Sequence, residues 1–397
     1  MKIHFKNKSQ NHKSKKTDFT DEEISENKKI YFESYLKEYT DLFIKAVIEP
    51  IDKIWFRSEL IGWDNMPERN NLQIPLILAS NHSGMAFPWD AIVFGYKMNT
   101  KFNFGNSTIR ALSSPMLSQS NLMNPFLIKN LWKKSGAIDA TFLNFETMMQ
   151  NPDNNLLIYP EGVPGIGKGF NKRYIIQELK TSFVRMSIKY KTDIITFSTV
   201  NAEYINPFSY SSKIINKFVK RIGIPFLPIG PILPFILLQP WLFYFAFPAK
   251  LFFVLGRRIK PYEMIDKPVS EIVQEEYILL ATKIHKMMQD DLTEANEKYG
   301  KQPFKLSEFF KMFFTDFKKS IKGLPTNWAL LFYEFERKYQ KGERNFEIKT
   351  GFFRNILLML KNPFTICFFI PVLGWIPIAI KGYKNNSLEI LNKKKGN

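Results

Sequence analysis

Between Asn81 and Asp90 the chain reads Asn-His-Ser-Gly-Met-Ala-Phe-Pro-Trp-Asp, which sets an imidazole and a carboxylate within one short stretch. An imidazole titrates near neutrality and can take a proton from a hydroxyl; a carboxylate beside it fixes which ring nitrogen carries the hydrogen. The chain has only four histidines. His4 and His12 lie in a polar, Lys-rich leader and His285 in a helical stretch, so His82 alone follows an apolar run, Ile74 to Ala79, bounded by Asn71 and Asn81. That run suits a buried strand of an α/β sheet, and open α/β sheets place their reactive groups at the carboxyl ends of strands.

A second block follows another short strand, Leu156 to Tyr159. Pro160 to Tyr174 carries Glu161, the glycines Gly162, Gly165, Gly167 and Gly169, and the cations Lys168, Lys172 and Arg173. Glycines let backbone amides approach an anion closely, and cations give charge-assisted bonds to phosphate. The three cations are expected at one mouth of the site, where they would hold a phosphate-bearing substrate.

The elements that must position these blocks are legible from periodicity and punctuation. Helical spacing runs through Tyr31, Leu36, Leu42, Phe43, Val47 and Ile51, with Pro50 expected to divide it. Helices are expected over 91–98, 116–132, 142–150 and 175–191, and strands after Ala137, over 194–200 and within 250–259. The segment Ile224 to Ala249 holds no charged residue, yet six prolines interrupt it, so a buried wall or shallow membrane insertion fits better than a spanning helix. Ser270 to Tyr299 reads as an amphipathic helix with a Ser N-cap. Leu306 to Ile321 stacks five phenylalanines among lysines, and Phe364 to Ile380 is uncharged with two prolines; both fit interfacial segments.

With 397 residues, 38 phenylalanines and a formal net charge of +19, the composition points to an anionic membrane surface. Nucleic acid is not expected as a partner, because the aromatics cluster with prolines instead of alternating with the cations. The single cysteine, Cys367, rules out an intramolecular disulfide and a Cys-ligated metal site and fits a reducing cytoplasm. The first thirty residues lack the apolar core of a secretory leader. The expected division is a disordered basic arm over 1–29, a catalytic α/β domain with an N-terminal helical segment over 30–262, and a helical, amphipathic, membrane-associating region over 263–397. Attachment is expected at the cytoplasmic face of a membrane.

Asn81-His82-Ser83-Gly84 through Pro88-Trp89-Asp90, followed by Tyr159-Pro160-Glu161-Gly162 and the glycines to Lys168, resembles the phospholipid and glycerol acyltransferase family, in particular its branch similar to monoacylglycerol acyltransferases. Gly136-Ala137 and the segment 223–234 are similar to that branch as well, and the resemblance extends over roughly 60–262. It implies an α/β acyltransferase sheet flanked by helices. It also implies transfer of a fatty acyl group from a thioester of coenzyme A or acyl carrier protein to a hydroxyl of a glycerolipid or lysophospholipid, with no further cofactor or metal. By carry-over His82 is the general base, Asp90 orients it, and Glu161 with Gly162 helps place the acceptor or the developing oxyanion; Asn81, Ser83, Gly84, Gly165, Lys168, Lys172 and Arg173 are further expected to contact substrate. Amides of the glycine-rich turn would stabilise the developing oxyanion.

Two positions depart from the family pattern. Four residues usually separate the His from the Asp, a place held here by Phe87, and Asp90 lies seven intervening residues on; Thr196 stands where a fourth block usually has proline. Three other readings compete. A lipid-binding relative without turnover would fit the stretched spacing. A nucleotide-binding loop over 162–168 lacks the Ser or Thr that magnesium needs, since Gly169 follows Lys168. An α/β-hydrolase lacks its Gly-x-Ser-x-Gly turn.

Overall fold

The computed structural model describes residues 19–85, 87–102, 108–219 and 224–382. Seven strands form one sheet: β1 (Glu59–Ile61), β2 (Ile77–Ser80), β3 (Thr108–Ser113), β4 (Ile138–Asp139), β5 (Asn154–Ile158), β6 (Ile194–Val200) and β7 (Phe252–Ile259). Their spatial order is β1-β7-β6-β2-β5-β3-β4. β2 to β6 run parallel to one another, β7 is antiparallel to β6, and β1 pairs parallel with β7. The first central strand, β2, is therefore flanked by β5 and β6, and the carboxyl ends of these three neighbours open on the same side.

Side chains alternate across the sheet as the pleat demands. Leu78, Leu157, Ile195 and Phe197 enter one core, and Ile77, Ala79, Leu156, Ile158 and Ile194 enter the other. The first core is closed by Trp328, Phe332 and Phe335 of the helix Pro325–Gln340, the second by Tyr277, Ile284, Met288 and Leu292 of the helix Gln274–Tyr299. Residues beyond 262 thus cover both faces of the sheet and complete its core, and the expected boundary at 262 does not divide two packing units. Thr196 sits at a bulge between β6 and β7, where its hydroxyl accepts from Arg257 N and donates to Arg257 O. A proline is not needed there to interrupt the ladder.

Several local expectations give way to packing. Residues 37–56 form one continuous helical rod in which two π-helical turns, Ile44–Ile48 and Asp52–Phe56, flank the turn holding Pro50. Wider turns accommodate the missing N–H without a break. The expected helix over 116–132 is instead Pro115–Gln119, a single turn at Pro125–Leu127 and Leu131–Lys134, since Phe126, Leu127 and Asn130 take positive φ. The helix expected from residue 175 begins at Ser182. Upstream of it, Ile176 N and Gln177 N are drawn to the side chains of Gln289 and Glu161 and cannot serve a helix.

The long C-terminal helix starts at Gln274, with Glu276 accepting from Val273 N, and not at a Ser270 cap. Leu306 to Ile321 is two helices, Leu306–Thr315 and Phe317–Lys322, parted by Asp316. Within the stretch 224–249, Tyr244 and Ala246 are buried while Phe235, Leu237 and Leu238 are exposed. Of the basic arm expected over 1–29, residues 1–18 and their lysines lie outside the described residues, as do Gly223 and Ala86; 21–27 are helical, closed by reciprocal bonds between Thr20 and Glu23. No helix among the described residues is long and apolar enough to cross a membrane.

Candidate functional site

β2 ends at Ser80, and Asn81 takes over its pairing: its amide donates to Thr199 O at 2.9 Å and accepts from Thr199 N at 2.8 Å. The Asn81 side chain thus extends the β2–β6 ladder by one rung while the main chain turns away. This is a positioning task, and both polar atoms of the amide are engaged in it. The turn passes through Gly84 at φ +125° and Met85 at φ +55°, then enters the helix Trp89–Lys101.

Asp90, fully buried in the first turn of that helix, comes back onto the strand end. Its Oδ2 lies 2.7 Å from His82 Nδ1 and accepts from Ser83 N at 3.2 Å, while its Oδ1 accepts from Ala91 N at 2.8 Å. A carboxylate can only accept, so Nδ1 carries the hydrogen and Nε2 presents its lone pair. Nε2 has no partner among the described residues, and the His82 side chain keeps 12% of its surface exposed. The longer spacing is absorbed by the loop, whose Phe87 is wholly buried against Trp89 and Tyr244. Phe87 fills core where the family pattern has its acid, and Asp90 reaches the imidazole from one helical entry later.

From β5 comes Tyr159, whose ring stacks on the imidazole at 4.2 Å between centroids, and then Glu161. Glu161 is fully buried: Oε1 accepts from His82 N at 2.8 Å and Oε2 from Gln177 N at 2.5 Å. Burial pushes its carboxyl above the usual range, against the charge of Lys168 and the two amides. Glu161 is thus committed to the backbone of His82. It was expected to contact acceptor or oxyanion, and both its oxygens are occupied.

Gly162 takes φ +60° with ψ −148°, a conformation nearly confined to glycine. Gly162 N, Gly165 N and Gly167 N are bonded to Tyr159 O, Gly162 O and Val163 O. These three amides therefore do not point at a ligand, which removes the oxyanion role expected of them. Gly84 N, by contrast, has no acceptor among the described residues. Gly165 lies against Glu161, and a Cβ built on it would meet Glu161 Cβ at 2.7 Å. Gly165→Ala is expected to lower the unfolding free energy by about 1–3 kcal/mol through overpacking. Denaturant titration measures it, and a change under about 0.5 kcal/mol, the scale of surface substitutions, would show that the turn yields freely.

The expected trio of cations is not brought together. Lys168 is buried, with Nζ 3.4 Å from Glu203 Oε1, whereas Lys172 and Arg173 are exposed and the Arg173 guanidinium lies 5.1 Å over the Phe170 ring. Lys168 faces inward because Glu203, just beyond β6, offers it a buried partner. Glu203 Oε1 also accepts from Ser83 Oγ at 2.7 Å and from Tyr174 N at 3.1 Å. The Ser83 hydroxyl is thereby buried and engaged.

Glu203 was not a candidate in the sequence. It belongs to no block, and only the adjacency of β6 to β2 brings it beneath the loop that carries His82; its place a few residues past a third strand end was the available signal.

The fold and site together define a mixed α/β protein, a seven-stranded sheet flanked by helices, with a buried carboxylate paired to a partly exposed imidazole at the carboxyl end of its central strands. No family model matches the chain. In sequence it is similar to an uncharacterized protein of Mycobacterium tuberculosis and one of Mycobacterium bovis, each 24% identical over 197 residues, 48% of this chain and 51% of the relative. An uncharacterized protein of Mycobacterium leprae is also 24% identical, over 48% of this chain and 50% of its own. The chain spans about half the length of these curated relatives. Among solved structures it is similar to a 1-acyl-sn-glycerophosphate acyltransferase of Thermotoga maritima, with 13% identity, a TM-score of 0.33 and coverage of 68% of this chain and 90% of that one.

Proposed function

We propose that the protein is an O-acyltransferase that moves a fatty acyl group from a thioester to a hydroxyl of a glycerolipid or lysophospholipid. The observation that carries this reading is His82, fixed through Nδ1 by the buried Asp90 and through its backbone by Glu161, with Nε2 left without a partner among the described residues. In this mechanism Nε2 accepts the proton of the acceptor hydroxyl as its oxygen attacks the thioester carbonyl. Asp90 stabilises the imidazolium that forms. The tetrahedral intermediate then expels the thiolate, which takes the proton back from Nε2. Gly84 N–H, two residues from the base, is the donor we assign to the oxyanion. The Ser83 hydroxyl already donates to Glu203, which favours direct transfer over an acyl-Ser intermediate.

An apolar cavity of about 120 Å³ beside the site supports a fatty chain as part of the substrate. It is lined by Ala91, next to Asp90, by Ile92 and Gly95 of the same helix, by Phe43 and Ile48 of the rod 37–56, and by Ile109, Ala111 and Leu157 on the sheet face formed by β3 and β5. A Cβ added at Gly95 would meet no atom within 4 Å. Gly95→Leu is therefore expected to leave the fold intact and to lower kcat/KM for a hexadecanoyl thioester relative to an octanoyl thioester by about tenfold or more, because lost methylene burial is read directly as selectivity. Equal kcat/KM ratios in the two proteins would place the chain elsewhere.

The reading as a whole is tested by incubating the full chain with labelled acyl-coenzyme A or acyl carrier protein and a panel of lysophospholipids, monoacylglycerol and glycerol 3-phosphate. Mass analysis of the products identifies donor and acceptor. An acceptor-dependent ester is expected, and no ester from any combination would contradict the proposal.

A further inference from the structure

Away from the catalytic loop, a groove of about 1140 Å³ runs between the helices Leu306–Thr315, Phe317–Lys322 and Phe352–Lys361 and the rod 37–56. Its charge is one-sided. Eight Lys and Arg side chains line it against three carboxylates, Glu49, Asp316 and Glu347. Glu49 is paired with Lys53 and Asp316 with Lys319. The side chains of Lys311, Lys318, Lys322, Lys349 and Arg354 have no hydrogen-bond or ion-pair partner among the described residues. Lys322 is half-buried, and this desolvation holds its ammonium below the usual range despite the nearby charges of Glu347 and Glu49.

The same groove has an apolar rim. Phe352 and Phe353 are 77% and 78% exposed on one wall, and the helix they begin continues outward with Ile356, Leu357 and Leu360. Across the groove Phe310, Phe314 and Phe317 are exposed beside Lys311 and Lys318. Rings left in water at this density mark an interaction surface. An occupant must neutralise several unpaired cations and also take in phenylalanine rings.

We infer that this groove docks the protein on an anionic phospholipid bilayer, headgroup phosphates entering between Lys311, Lys318, Lys349 and Arg354 while Phe352 and Phe353 insert at the acyl boundary. A bilayer meets both demands at one surface, since amphipathic helices sink their apolar faces just below the headgroups while basic residues stay at phosphate level. A protein partner would have to supply phosphate-like charge and apolar depth at matching positions. The inference stands without the acyl-transfer reading, because no residue of the groove belongs to the site around His82.

The test is co-sedimentation of the full chain with phosphatidylcholine vesicles, with and without phosphatidylglycerol, at low and high salt. The native chain is expected to bind the anionic vesicles about tenfold more tightly, with the preference shrinking as salt rises. Replacing Lys311, Lys318 and Arg354 by Glu should bring anionic binding down to the neutral level. Phe352→Ser with Phe353→Ser should weaken binding to both vesicle types. All five side chains are exposed, and the two sets of substitutions are independent, so a folding failure in one leaves the other as a test. His82→Ala should bind as the native chain does, which separates docking from catalysis. Three results would each overturn the inference: equal binding of the native chain to both vesicle types, native affinity in both variants, or variants that lose self-association while vesicle binding is unchanged.

Discussion

His82→Ala is expected to lower the acyl-transfer rate by about 10²–10⁴-fold, the usual contribution of a positioned general base. The size follows from the absence of a substitute. Among the described residues the remaining histidine, His285, is held in the helix Gln274–Tyr299 with its Nε2 at 3.0 Å from Ile176 O. Glu161 is buried with both oxygens held by backbone amides, and Glu203 is buried beneath the loop with the Ser83 hydroxyl on its Oε1, so neither is placed to take a proton from an acceptor. Folding should be little affected, because the backbone of residue 82 keeps its bond to Glu161 in the variant. Steady-state rates on the native chain and the variant, with thermal melting as a control, decide it; activity within about tenfold of native would remove His82 from the role.

Asp90→Asn has the next largest expected effect. The two carboxylate oxygens accept three hydrogens, from Nδ1, Ser83 N and Ala91 N, and an amide can accept with only one of its atoms. Either its NH₂ faces Ala91 N–H, donor against donor, or it faces Nδ1 and forces the hydrogen onto Nε2, where it blocks the base. The second arrangement silences catalysis without removing the imidazole. A loss in kcat of about 10²-fold or more is expected, with KM changed little, since the defect lies in proton transfer and not in substrate binding. Burying the mismatched amide should also cost about 1–3 kcal/mol of stability, measurable by denaturant unfolding. An unchanged kcat would mean that another group sets the tautomer.

How much of this was legible in the sequence depends on whether the signal was local. β2, β5 and β6 are short apolar runs closed by polar residues, and the Asn81–Asp90 block carries its own chemistry, so strand ends and imidazole–carboxylate pair were readable together. Phe87 shows the limit: its burial against Trp89 and Tyr244 depends on contacts across the chain, and nothing in the spacing alone says that the loop closes over it and returns Asp90 to His82. Lys168 was expected with Lys172 and Arg173 at the mouth of the site because a cation in a glycine-rich turn suits a phosphate, while its buried partner Glu203 lies just past β6, outside both blocks. The same holds for residues 175–181, whose helical pattern loses to side chains of Gln289 and Glu161 that capture the backbone. Trp328, which packs at 4.8 Å from Trp89, makes the point for the region beyond 262. Apolar periodicity marked the helix but could not say that its face completes the core under the catalytic loop.

The central claim is direct, base-assisted transfer at His82, and single-turnover quenching with an acyl-labelled thioester tests it most directly. In the presence of a lysolipid acceptor, labelled ester should appear at the rate at which thioester disappears, with no label on the protein, and His82→Ala should slow both together. Label retained on the protein before ester forms, or thioester consumed to free fatty acid with no ester, would contradict it.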